Sequence, residues 1–206
     1  AYFLKNIFKK NKVEYAGQKI DFKIPFKRIE FDQLLKKETG ISYEQINRQA
    51  FLKKARALGL GVEDSSEKEE IADEIYKKIC LPKIIQPTFI IHHPIGLTPL
   101  AKALEGRPEK AARFQLAVAG WELINAFSEQ NDPILQRKIF QEQEKKRKKG
   151  EPSRIDEDFL EALEYGLPPA AGFGLGIDRL AALLTDSHSV REIILFPTLR
   201  PKNSGQ

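Results

Sequence analysis

Methionine is absent from the 206 residues, and cysteine and tryptophan occur once each. With Cys80 alone, an internal disulfide and a multi-cysteine zinc site are excluded, and a reducing cytoplasmic compartment fits. No stretch approaches the roughly 18 consecutive apolar residues of a membrane span, so no membrane partner is expected. The opening Ala1-Tyr2-Phe3-Leu4-Lys5 lacks the long apolar core and small-residue cleavage site of a secretory signal. A chain without an initiator is expected to be either processed or a piece of a longer one. Histidine is scarce too. His92 and His93 are adjacent but have no acidic or cysteine partner at ligand spacing, so metal ligation by them is not expected. His188, in the loop Thr185 to Ser189, reads as a surface residue. No serine or cysteine sits in a nucleophile elbow.

What is present is enough for a core: 41% of residues are hydrophobic, while 31% charged argues for a soluble protein. This length allows one large domain or a domain with a small insertion. The net charge of +5 permits nucleic-acid binding without establishing it. The densest basic run, Lys145 to Lys149, has no interleaved aromatics and reads as the solvated end of a helix rather than a base-stacking platform.

Along the chain, Gln18 to Ile24 alternates with Ile20, Phe22 and Ile24 on one face, predicting a half-buried strand. Residues 31–80 read as helical. Ser42 with Gln45, and Ser66 with Glu69, are spaced as capping boxes, and Gly59 and Gly61 stop the first of these helices. Ile71, Ile75 and Ile79 form an apolar stripe, with acids early and Lys77-Lys78 late. Gln86 to Ile91 is a short β-rich run. Asp132-Pro133 is a cap and first helical position. Gly150 to Ser153 is a loop, and Phe159, Leu160 and Leu163 mark a short helix.

Two stretches carry chemistry. In Ala171 to Leu180, glycines at 172, 174 and 176 alternate with Phe173, Leu175 and Ile177. As a strand this has one packed face and one bare face, on which a flat ligand such as a purine could lie. Asp178 is expected to cap the following helix, with Arg179 in its first turn suited to a phosphate. The competing reading is a glycine-rich buried strand feeding a helix. Neither common phosphate-loop pattern is met: position 177 is Ile, and no Lys-Ser/Thr follows. In the second stretch, Glu122, Asn125 and Glu129 sit among apolar residues. Two carboxylates and an amide suit a hard cation that bridges phosphate oxygens. They equally suit edge-strand charges facing water. On a regular strand positions 122 and 129 point oppositely, so a shared site requires a bend or bulge.

Gly172 to Arg179, Leu183-Leu184-Thr185 and Val190 to Pro201 together resemble motif 3 of class II aminoacyl-tRNA synthetases, and the ending Phe196-Pro197-Thr198-Leu199-Arg200-Pro201 looks most like the lysyl branch. Gly120 to Asp132 resembles that branch's Gly-x-Glu-x-x-Asn-Ala/Gly-Phe-Ser-Glu-x-Asn-Asp. Pro87 to Lys102 resembles its Pro-Thr-Phe segment, with Gly96 where the branch commonly has Glu.

The resemblance implies an α+β fold, an antiparallel sheet flanked by helices. In it, 1–30 is a strand-and-turn region, 31–82 a small helical insertion, and 83–206 the C-terminal half of the catalytic core. It implies a ligase that activates lysine with ATP to lysyl-adenylate and transfers it to tRNA, with Mg²⁺ as cofactor. Carried across, Glu122 and Glu129 are Mg²⁺ and ATP ligands, and Asn125 and Glu129 line the lysine pocket. Gly172, Gly174 and Gly176 underlie the nucleotide, and Arg179 is the catalytic contact to the γ-phosphate. Motifs 1 and 2 and an anticodon-binding barrel have no counterpart in the sequence. The expectation is a fragment that begins just after motif 2 and is inactive alone, its full-length form dimerising through motif 1. A paralogue that lysylates a protein, an aspartyl or asparaginyl enzyme, and a non-catalytic nucleic-acid-binding module are the rival readings. An acid at Glu129 disfavours an acidic substrate.

Overall fold

A computed structural model describes residues 2–6, 9–145 and 155–197. The expected basic helix end at 146–149, the loop at 150–153 and the last part of the 190–201 stretch lie outside these residues. In chain order the elements are α1 (Tyr2–Asn6), β1 (Lys12–Tyr15), β2 (Gln18–Asp21), β3 (Lys27–Glu30), α2 (Phe31–Thr39), α3 (Arg48–Ala57) and α4 (Lys68–Ile75). Then follow β4 (Thr88–Ile91), β5 (Ala103–Leu104), β6 (Arg107–Ala111), β7 (Arg113–Val118), β8 (Trp121–Ser128), α5 (Pro133–Lys145), α6 (Glu157–Glu164), β9 (Ala171–Leu175) and α7 (Ile177–Leu184). The fold is α+β. Its central sheet has the order β3-β4-β7-β8-β9, antiparallel except where β3 runs parallel to β4. Among the described residues, no helix is long and apolar enough to cross a membrane.

Strand alternation sorts the sheet's side chains into two faces. Ile90 and Ala117 belong to one, where α2, α3 and α4 deliver Phe31, Leu35, Phe51, Ala55, Ile71 and Ile75 into a continuous core. Leu116, Val118 and Leu123 pack on the other, against Tyr15, Ile20 and Phe22 of the β1-β2 hairpin region and Leu183 of α7. Fully burying a side chain such as Phe51 or Ile71 contributes about 1.5–3 kcal/mol, so this layer holds the helices to β4 and β7. The apolar stripe expected on α4 is real: Ile71 and Ile75 are fully buried, and Ile79 packs against the same core from the π-helical turn Tyr76–Cys80 that continues the helix.

Several local expectations need correction. The strand at Gln18 ends at Asp21, so Ile20 and Phe22 are buried while Ile24 is exposed. Ser42 caps nothing; its hydroxyl donates to the Asp32 carboxylate at 3.0 Å, and Asn47 caps α3 by accepting from the Ala50 N–H at 2.9 Å. An Asn side chain five residues on competes successfully for that role. On α4 the reciprocal box joins Glu67 and Glu70, one residue later than Ser66 and Glu69. Asp178 lies inside the first turn of α7, and the N-cap is Gly176. At α5, Asp132 does cap: its Oδ1 accepts from the N–H groups of Ile134 (2.9 Å) and Leu135 (3.1 Å).

Candidate active site

The bulge required for the acids exists, and it sits at Leu123. Pairing of β7 with β8 runs Arg113–Phe127, Gln115–Asn125 and Leu116–Ile124, then shifts so that Ala117 opposes Glu122. One extra residue on β8 reverses the parity of everything before it. Glu122 therefore joins the face that carries Asn125 and continues towards Glu129, which forms an isolated bridge with Ala101 just past the strand end. On β9, Gly174 opposes Asn125 and Gly172 opposes Phe127, so the glycines bare this same face. It is the face that α2–α4 cover further along, over β4 and β7.

Each glycine has a distinct neighbour. A Cβ on Gly174 would meet only the Asn125 carbonyl oxygen, at 3.6 Å, which leaves open space above it. A Cβ on Gly172 would collide with Glu129 Oε1, whose carboxylate lies against the glycine backbone. At Gly176 the corresponding space is flanked by Arg179, with Cδ at 3.3 Å. The bare strip thus has an anion at one end and a cation at the other. Arg179 is held by donating from Nη1 to the Glu122 carbonyl oxygen at 2.6 Å, and the Gly176 N–H donates to Leu123 at 2.9 Å, tying the start of α7 to the bulge. Beside this end opens a cleft of about 540 Å³ lined by Lys77, Trp121, Glu122, Arg179, His188 and Ser189. His188 is exposed, as expected, and its ring lies 5.5 Å from that of Tyr15.

Beside the strip, on the same face over β7, is a polar layer that sequence reasoning missed. Arg113 Nε donates to Asn125 Oδ1 at 2.9 Å, leaving the amide N–H groups as Asn125's remaining capacity. Burial lowers the Arg113 guanidinium from its usual range, while Glu122 and Tyr76 oppose that shift. Gln115 Nε2 donates to Glu122 Oε2 at 2.6 Å, and His93 Nε2 meets Gln115 Oε1 at 3.0 Å. Burial pushes the His93 imidazole down to about 3, so it is neutral. The available signal was the polar alternation Arg113, Gln115 against Phe114, Leu116 in a strand preceding Glu122. His92 does something else: its Nδ1 lies 3.0 Å from Glu30, which also accepts from Arg107 and Lys110. Among the described residues, no group of three or more His, Cys, Asp or Glu could hold a metal ion.

Glu122 and Glu129 share a face but do not converge. The Glu122 carboxylate reaches β7, where Gln115 holds it, while that of Glu129 lies against Gly172 of β9. The two carboxylates thus lean to opposite sides of β8. Carboxylate oxygens on this face, with Arg179 and the cleft beside Glu122, are donors of the kind that a hard cation takes.

Gly96 also has an explanation. A Cβ there would fall 2.8 Å from Glu69 Cγ on α4, so Glu69, which accepts from the Tyr43 hydroxyl at 2.9 Å, fills the space of a side chain at that position.

An antiparallel sheet whose glycine strand runs into a helix with an arginine in its first turn, beside acids on the neighbouring strand, is the arrangement that the resemblance to class II synthetases implies. The chain belongs to the class II tRNA synthetases (D, K and N), whose family pattern matches residues 2–200. It is 43% identical to the lysine–tRNA ligase of Moorella thermoacetica over 98% of this chain and 42% of that protein. It is likewise 42% identical to the one from Pelotomaculum thermopropionicum (93% of this chain, 39% of that protein) and 43% identical to the one from Enterococcus faecalis (91% and 38%). The chain thus spans about two fifths of the length of these curated relatives.

Proposed function

We propose that this chain forms the nucleotide and amino-acid side of a lysine–tRNA ligase site, using ATP, L-lysine and tRNA as substrates. The observation that carries the reading is the bare strip over Gly174, bounded by Glu129 at Gly172 and by Arg179 at Gly176. A purine stacks on the glycine backbone, and the Arg179 guanidinium takes the terminal phosphate through charge-assisted hydrogen bonds. Glu129 offers the anion that a lysine ε-ammonium needs when it leaves water. The same charge disfavours aspartate. Magnesium, when bound, neutralises phosphate charge and favours departure of pyrophosphate; Glu122 and Glu129 are the residues that would hold it.

The reaction has two steps. The lysine carboxylate oxygen attacks the α-phosphorus of ATP, forming lysyl-adenylate as the bond to pyrophosphate breaks. A ribose hydroxyl at the tRNA terminus then attacks the lysyl carbonyl and AMP departs. Neither step needs a covalent protein nucleophile; positioning and charge neutralisation carry the catalysis. Homodimerisation of the full-length protein belongs to this reading.

The test is lysine-dependent ATP–pyrophosphate exchange in the full-length natural protein. Glu129→Gln removes the ammonium's partner and is expected to raise the KM for lysine by about ten- to a hundredfold, the worth of a charged hydrogen bond. ATP binding measured without lysine should change little. Unchanged lysine activation in this variant would remove Glu129 from the pocket.

A further inference from the structure

We propose that His93 and Gln115 are positioning residues for Glu122: a buried hydrogen-bonded chain from imidazole through amide to carboxylate fixes how Glu122 presents its charge to the nucleotide. This rests on the reading of Glu122 given above. His93 and Gln115 are 2% and 4% exposed, so the imidazole and the amide are shielded from solvent, while the Glu122 end is partly exposed at the cleft. The donor inventory allows one arrangement. A carboxylate only accepts, so the amide N–H end of Gln115 faces Glu122 and its carbonyl end faces His93. That carbonyl also only accepts, so His93 carries its proton on Nε2. A neutral ring then has a bare Nδ1, and among the described residues Nδ1 has no hydrogen-bond partner.

Turning the amide over would set two donors together at the ring and two acceptors together at the carboxylate. Each unsatisfied buried pair is costly, so the imidazole locks the amide and the amide locks the acid. The ring is itself clamped by the covering helices. Phe31 of α2 lies 5.1 Å from it, and Tyr76, at the end of α4, stands perpendicular at 6.1 Å. The helical layer therefore reaches the open site through His93 and Gln115.

Two measurements on the full-length protein decide this. Nitrogen-15 NMR of histidine-labelled protein should report His93 as the neutral Nε2–H tautomer from about pH 6 to 8, where folded-state burial keeps it uncharged; the Nδ1–H tautomer would overturn the chain of bonds. In lysine-dependent exchange, Gln115→Leu, which removes a hydrogen bond to the charged carboxylate, should raise the Mg²⁺ concentration for half-maximal rate by about tenfold, and His93→Phe, which removes a neutral one, by roughly threefold. The KM for lysine should stay near wild type. His93→Gln, which keeps a donor, should recover much of the magnesium response. A lowered melting temperature with unmoved magnesium dependence would mean that the pair only packs, and the proposal fails. If His93→Phe does not fold, Gln115→Leu and the tautomer decide between the two outcomes. Absence of lysine-dependent exchange in the wild type would instead sink the assignment of the site, while the tautomer still tests the hydrogen-bonded chain.

Discussion

The two halves of one sheet face are used in opposite ways. Over β4 and β7 the face is sealed by α2–α4, and Ile90 and Ala117 disappear into an apolar core with Phe51, Ile71 and Ile75. Over β8 and β9 the same alternation brings up Glu122, Asn125, Gly174 and Gly172, and among the described residues only the Asn125 carbonyl oxygen lies near the space above Gly174. Parity alone is common to both. The difference is what lies above the strand: a helix layer selects bulky apolar side chains, and a ligand surface selects charge and the lack of a side chain. The border runs through Arg113, Gln115, His93 and Tyr76, where polar groups are buried and mostly paired with one another.

The largest effect that separates the halves comes from adding or removing side-chain bulk. Gly174→Val adds methyl groups where only a carbonyl oxygen at 3.6 Å stands on the protein side, and valine favours strands. The fold should persist with an unshifted melting temperature, while ATP binding by calorimetry falls by more than about a hundredfold, a cost of roughly 3 kcal/mol or more. In the sealed half, Phe51→Ala should do the reverse and destabilise the protein by about 3–5 kcal/mol. If Gly174→Val unfolds the protein, the glycine serves packing and the comparison breaks.

A smaller effect is expected from Arg179→Ala. It removes a charge-assisted contact and should cost about ten- to a hundredfold in ATP affinity or rate. Binding of adenosine, which lacks phosphates, should be spared. Equal losses for adenosine and ATP would place the arginine at the base rather than at the phosphates.

The smallest effect concerns the border and is read as a pH slope. His93 is neutral when folded, its affinity for protons pushed down to about 3 by burial, then by the charge of Arg113. The unfolded chain takes up a proton below about 6.5 and the folded one does not, so stability is full above that value and falls progressively towards pH 3. Glu30 contributes in a lower window. Burial raises it, but the hydrogen bonds from Arg107 and His92 outweigh this and hold it below 4.5, so its contribution is lost only as pH drops through that range. Between about pH 5 and 6.5 the melting temperature should therefore decline with pH, and His93→Phe should flatten that decline. An unchanged slope in the variant would assign the titration elsewhere.

Much of this was legible in the residues. The alternation of Gly172, Gly174 and Gly176 specified a bare strand face, because a strand's side-chain period is two whatever surrounds it. The isoleucine stripe on α4 and the Asp132-Pro133 start of α5 were local as well, since each depends on neighbours within a turn of helix. Even the need for a bulge between Glu122 and Glu129 followed from parity. The caps of α3 and α4 were misplaced by one to five residues because several Ser, Asn and Glu side chains compete for the same N–H groups, and packing of the helix chooses among them.

Cross-strand register was beyond local pattern. The bulge could have fallen anywhere between the acids; pairing of Ala117 with Glu122 fixes it at Leu123. That register decides which face Glu122 joins, and so sets on one face two acids that strand spacing alone would place on opposite faces. The chain from His93 to Gln115 to Glu122 links residues 22 and 7 positions apart. Hydrogen bonds of that reach exist only once strands have paired and helices have excluded water, so tertiary structure alone could assign Glu122 its partners and its direction.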